Sequence, residues 1–196
     1  MNIFWLDTNI QKAVEYHCDK HIVKMPLELV QMLCTTHHLY GQDAPYAPVH
    51  EKHPCTLWVA ECVDNYTKAW VFAQTLFQEY TYRYHRRHSS QDILFQVVTP
   101  PKGMTTNIKG TMPPQAMPDE YKQPYDLVLA YRKYYINDKS YMCKWTNRAI
   151  PDFMYGVMQT QLIHSLDKQV HDQEALDALG SDHIDDIHKH LLQEQA

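Results

Sequence analysis

The sequence places one carboxylate, Glu28, among several groups that can carry a proton or a positive charge. In "YHCDKHIVKMPLELVQMLCTTHHLY", residues 16–40, a helical reading puts His17, His21, Lys24, Glu28, Gln31, Thr35 and His38 three or four residues apart, on one face. A lone carboxylate amid cations suits acid–base work, a metal site or a phosphate contact. The same face is also what a solvated helix with i,i+3 and i,i+4 pairs would present. His17 and His21 add an i,i+4 pair, a spacing that can bind metal, and His50, His53, His85 and His88 are further candidate ligands. No HExxH, finger-spaced Cys/His cluster, P-loop, GxGxxG or GxSxG is present. Cys18 and Cys34 lie in an apolar pattern that suits core thiols better than nucleophiles.

The elements that must position these groups read as mostly α. "MNIFWLD" suggests a short strand or extended arm, with Thr8 or Asn9 capping a following helix. Ile22, Met25, Leu29, Met32 and Leu33 predict a helix over about 18–39, and Pro26 inside it predicts a kink or restart. After the loop "GQDAPYAPVHEKHP", a second long helix is expected over about 55–84, closed by the basic cluster in "RYHRRHSS". Residues 98–124 hold six prolines and two glycines and read as a long irregular segment. A third helix is expected over about 126–138, then a short helix or turn in "YMCKWTNRAIPDF" and a helical, acidic tail. The fold class is therefore three main helices with an extended N-terminal segment, a proline-rich loop and a helical tail. The domain reading is 1–159 plus an acidic extension over 160–196.

Composition narrows the function classes. Apolar residues make up 44 % of the 196, enough for one core, and there are fourteen tyrosines, which serve half-buried positions and binding surfaces alike. No apolar run nears the ~20 residues of a membrane span, and the start carries no secretion signal, so a soluble, cytoplasmic protein without a membrane partner is expected. The five cysteines include no CxxC and point to reduced, buried thiols. Net charge is −5, but residues 160–196 carry eight acids and two bases, against sixteen bases and fifteen acids before them. The body is thus near neutral and has room for a local basic face.

"DKHIVKMPLE" then carries a family resemblance: Asp19, His21 two residues on, and Glu28 seven further on. In this spacing, and in the order of its helices, the chain resembles the phage-type pyrimidine-dimer DNA glycosylases, also called endonuclease V. "HPCTLWVAECVDNYTKAWVFAQTLFQEYTYR" is similar in position and length to that family's second helix, "MPDEYK" to the segment before its third, and "KWTNRAIPDF" to an aromatic-basic segment near its C-terminus. The likeness spans residues 1 to about 155. It implies a DNA glycosylase and AP lyase acting on damaged or modified pyrimidines without a cofactor, with an N-terminal α-amine (Met1, or Asn2 if Met1 is removed) as nucleophile, Glu28 as the essential carboxylate and His21 beside it. Where that family flanks its glutamate with arginines, this chain has Leu27 and Gln31, so phosphate contact from the helix falls to Lys20 and Lys24, with Gln31 on the same face. Arg83, Arg86, Arg87, Lys144 and Arg148 are the other expected phosphate contacts, and Trp145 the expected stacking residue. Each has a structural alternative: Trp145 in the core, Arg86 and Arg87 at a helix end.

Two other function classes fit the sequence. One is an iron- or zinc-dependent enzyme of nucleotide or nucleic-acid metabolism using His17, His21 and Glu28 with His53, His85 or His88. The other is a non-catalytic protein whose acidic, His-bearing tail docks on a partner or mediates self-association.

Overall fold

The computed structural model describes residues 1–173. Met1–Phe153 form one compact unit. Its α-helices are α1 (Ile10–Glu15), α2 (Asp19–Leu39), α3 (Pro54–Glu61), α4 (Val63–Tyr84), α5 (Gln91–Gln96) and α6 (Leu127–Tyr134). No strand occurs among the described residues, so the mostly α class is observed. "MNIFWLD" is an arm without ladder partners, and Asn9 caps α1 by accepting from the Lys12 N–H.

Residues Ile22, Leu29, Met32 and Leu33 of α2 and Phe72, Ala73, Leu76 and Phe77 of α4 form the centre of the core, all fully buried. The arm belongs to this core: Ile3 and Leu6 are fully buried and Trp5 stacks on Phe72 at 5.0 Å. α2 runs through Pro26 as one helix, so of the kink or restart expected there the restart does not occur. The single long helix expected over 55–84 is instead two. Cys62 adopts extended backbone (φ −159°, ψ 163°) between α3 and α4, and the Val63 N–H, freed from helical pairing, donates to the Thr105 carbonyl at 3.0 Å. The apolar periodicity continues across this one-residue break, so the pattern alone gave no sign of it. The third helix continues beyond Tyr134 as a π turn over Tyr135–Lys139.

The proline-rich segment has no long regular element, yet it is tied down. Gly110 N–H donates to Asp64 Oδ2 (3.1 Å), Thr111 N–H to Asn65 Oδ1 (2.8 Å) and Trp58 Nε1–H to Thr111 Oγ1 (3.0 Å). Tyr131 donates its hydroxyl proton to the Pro114 carbonyl at 2.8 Å. Residues 98–124 are therefore a strap held to the α3–α4 junction and to α6.

All five cysteines are free and buried. In the second unit a helix, α7, covers 155–173, and Leu162, Ile163, Leu166 and Val170 on it are exposed. The boundary expected between 159 and 160 lies inside that helix, and the compact unit ends earlier, at Phe153. Most of the expected acidic tail, including His183, His188 and His190, lies outside the described residues. No described helix is long and apolar enough to cross a membrane.

Candidate active site

The arm delivers the start of the chain to the middle of α2. The Met1 α-amine lies 3.6 Å from Glu28 Oε2, and the same oxygen accepts from the Asn2 backbone N–H at 3.1 Å. Lys24 Nζ sits 3.3 Å from the other oxygen, Oε1. Each carboxylate oxygen thus has its own cation. These groups line a recess of about 240 Å³, with Phe4, His21, Met25, Ala116, Tyr134 and Lys139 completing its wall.

His21 is fixed within this wall. It stacks on Phe4 at 4.2 Å between ring centroids, and its Nδ1 bonds to the Tyr135 hydroxyl. Burial pushes the Tyr135 phenol well above its ordinary range, so the phenol keeps its proton. The same hydroxyl oxygen accepts from the Cys18 N–H at 3.4 Å. Phe4 also stacks on Tyr134, and Lys139 Nζ lies 4.7 Å from the Tyr134 centroid. Tyr135 and Lys139 belong to the π turn, a departure from α geometry that often occurs at functional sites.

Further along, the polar face of α2 changes role. Gln31 is half-buried. Thr35 is buried and exchanges hydrogen bonds with the Val49 backbone, and His38 Nε2 lies 2.9 Å from the Tyr46 carbonyl. That half of the face binds the 41–54 loop instead of facing the recess. His17 precedes α2 and is fully buried, with Nδ1 2.7 Å from the Ala13 carbonyl. Desolvation, helped by the nearby His21, lowers its pKa to about 3, so it is a neutral packing group.

The other expected metal ligands are dispersed. His88 accepts from the Ser90 N–H through Nδ1 and faces the Val23 carbonyl through Nε2. His85 ends α4 in the left-handed conformation. His53 caps α3 by accepting from the Cys55 N–H at 3.2 Å. Its pKa is lowered by desolvation and then by the charge of the N-terminal amine, while Glu28 opposes both, so His53 stands in the field of the site. Among the described residues, no three His, Cys, Asp or Glu side chains form a group able to hold a metal ion.

Several residues expected at a nucleic-acid surface have partners within the fold, and for the buried Arg83 and Trp145 this is a correction. Arg83 is buried; it donates Nε–H to Glu79 (2.7 Å), an NH1 proton to Asp19 (2.9 Å) and an NH2 proton to the Glu15 carbonyl (2.9 Å). Arg148 donates to both Glu79 oxygens at 2.9 and 2.7 Å and lies over the Tyr82 ring. Trp145 is buried and donates Nε1–H to the Tyr16 carbonyl at 3.0 Å. Asp19 is a fastener: besides Arg83, it accepts from the Thr146 N–H and hydroxyl, so it ties the start of α2 to the segment that follows α6. Lys20, Arg86, Arg87 and Lys144 are exposed, with Arg87 paired to Asp92.

Phe4, Ala116, Tyr134 and Lys139 were not singled out from the sequence. Ala116, Tyr134 and Lys139 stand more than eighty residues from Glu28, and no local pattern marks any of them. Comparison with protein-family models, curated proteins and solved structures finds no match for this chain.

Proposed function

We propose that the chain is a DNA glycosylase and AP lyase that acts on damaged or modified pyrimidines through its N-terminal amine and Glu28. One observation carries this reading: a backbone α-amine lies 3.6 Å from a nearly buried carboxylate contributed by a distant helix. In general α-amines are much less basic than lysine, ~7.7–8.0 against ~10.4. Such an amine is a nucleophile without a strong base beside it.

In this mechanism the neutral amine attacks C1′ of the target nucleotide. The glycosidic bond breaks, and the base leaves with the bonding pair and takes up a proton. Opening of the sugar ring gives a protonated imine between C1′ and the amine. A C2′ proton is then removed and the 3′ phosphate leaves, which nicks the strand. Glu28 stabilises the cationic sugar and carries the protons. Lys24 and Lys139, on the rim and wall of the recess, provide positive charge for the flanking phosphates. At about 240 Å³ the recess is below the ~300–1,000 Å³ of sites that enclose a drug-sized ligand, which suits one reacting sugar of a longer strand.

The test is borohydride trapping, with chelator present, on duplexes carrying UV dimers, modified pyrimidines or an abasic site. The expected result is a covalent adduct that maps to the N-terminal peptide. Failure to trap an adduct on any of these duplexes would remove the amine mechanism.

A further inference from the structure

The arm that carries the amine is anchored by burial from Ile3 to Leu6, and only Met1 and Asn2 lie ahead of that stretch. Residues 1–7 form no ladder, and an unanchored chain start frays. The Asn2 side chain anchors these two in three bonds. Its Nδ2–H donates to the Ala116 carbonyl at 2.7 Å. Its Oδ1 accepts from the Ile3 N–H at 2.8 Å and from the Phe4 N–H at 3.3 Å, an Asx turn closed on its own backbone.

The turn has a conformational cost. Phe4 takes φ +51°, in the left-handed region that a bulky residue rarely adopts. Such strain persists only where surrounding contacts over-determine it, and here those contacts are the Asx turn and the stacking of Phe4 between His21 and Tyr134. Ala116 in turn belongs to the strap, whose irregular backbone leaves this carbonyl unpaired by any helix and turned toward the arm. The strap therefore acts on the site: it holds Asn2 from one side while Glu28 receives the Asn2 N–H from the other.

We propose that the Asn2 side chain, clamped between the Ala116 carbonyl and its own Asx turn, is the positioning residue that aims the N-terminal amine at Glu28. The role in catalysis rests on the amine mechanism above; the positioning itself does not, and the two are tested separately.

Zero-length carbodiimide coupling joins an amine to a carboxylate in contact with it, with loss of one water. In the full chain its products, mapped by peptide mass spectrometry, are expected to include Met1–Glu28 and Lys24–Glu28. The second is an i,i+4 pair within α2 and serves as an internal reference. Asn2→Leu removes all three bonds and keeps a large second residue, so Met1 is expected to remain, which intact mass verifies. Asn2→Asp keeps the turn acceptor and loses the donor to Ala116. The ratio of Met1–Glu28 to Lys24–Glu28 product is expected to fall about tenfold in Asn2→Leu, as expected when a chain end is freed to fray, and to a lesser degree in Asn2→Asp. On DNA the rate of adduct formation falls with the same ratio while affinity for the duplex stays unchanged. An unchanged ratio in both variants, or absence of the Met1–Glu28 product from the unmodified chain, overturns the proposal. If Asn2→Leu does not fold, Asn2→Asp decides it alone. Cross-linking that behaves as expected alongside a failure to trap DNA would leave the clamp standing and remove the glycosylase.

Discussion

Glu28 sits between two cations that do not contribute to the site in the same way. Lys24 is largely exposed, and an exposed i,i+4 pair contributes little to stability. The Met1 amine is held by the arm and has no comparable freedom. Glu28→Gln keeps the shape and removes the charge. It is expected to reduce borohydride-trapped adduct by about 100-fold or more, within the usual range for a lost acid–base group, while duplex affinity measured by fluorescence anisotropy changes little. Retained trapping would take Glu28 out of the chemistry. Arg83 is the contrasting residue, because its charge is wholly internal and serves Glu79 and Asp19. Arg83→Ala leaves a buried carboxylate short of partners and is expected to cost about 3–5 kcal/mol in urea unfolding. A loss below about 1 kcal/mol would show that Arg148 alone satisfies Glu79.

Among the elements, the strap over 98–124 departs furthest from what its sequence suggests. Its prolines and glycines describe a loop, and tertiary hydrogen bonds make it a fixed part of the site. Gly110 shows how closely it lies: a Cβ there would stand 2.6 Å from Asp64 Cβ, closer than real contacts allow. Gly110→Ala is therefore expected to lift the strap from the start of α4. Faster amide exchange at Gly110 and Thr111 would report this, with a fall in the Met1–Glu28 cross-link as Ala116 withdraws. Exchange like that of the unmodified chain would show that the strap is held without this approach. The break at Cys62 belongs to the same scale. Thr105 of the strap supplies the acceptor for Val63, so the strap and the division of α3 from α4 stabilise each other.

At the scale of the whole molecule, His17 and Glu79 are among the buried titratable groups that make stability depend on pH, and these two act with the same sign. His17 is held neutral in the folded chain, its pKa lowered to about 3, whereas in the unfolded chain it titrates near 6.5. Its contribution is complete above about 6.5 and is lost as pH falls toward 3, because the unfolded chain then binds the extra proton. For Glu79, burial acts to raise the pKa, but hydrogen bonds from Arg148 and Arg83 outweigh it and hold the carboxyl below its usual range. Its contribution is present above about 4.3, the ordinary glutamate value, and is lost as pH falls through the folded value beneath it. Unfolding free energies from urea titration are expected to fall steadily from pH 6.5 downward, by at most about 1.4 kcal/mol per pH unit for one group, and more steeply below about 4.3, with the urea midpoints falling alongside. Midpoints unchanged between pH 6.5 and 5 would mean that His17 is not buried and neutral.

The sequence by itself determined the helical class, the apolar face of α2 and the polar stripe that includes His21, Lys24 and Glu28, because each depends on spacing within one helix, where side-chain direction follows from backbone periodicity. A cap at Thr8 or Asn9 was legible for the same local reason, and Asn9 is the one used. Which charged residues stay at the surface was not. Arg83, Arg148 and Trp145 look like binding residues in one dimension, and only packing shows them paired with Glu79, Asp19 and Tyr16. The walls of the recess, from Phe4 to Lys139, depend on where an arm without ladder partners, a strap of irregular backbone and a π turn come to rest. Contacts across a hundred residues leave no period in the sequence, so only the tertiary structure decides them.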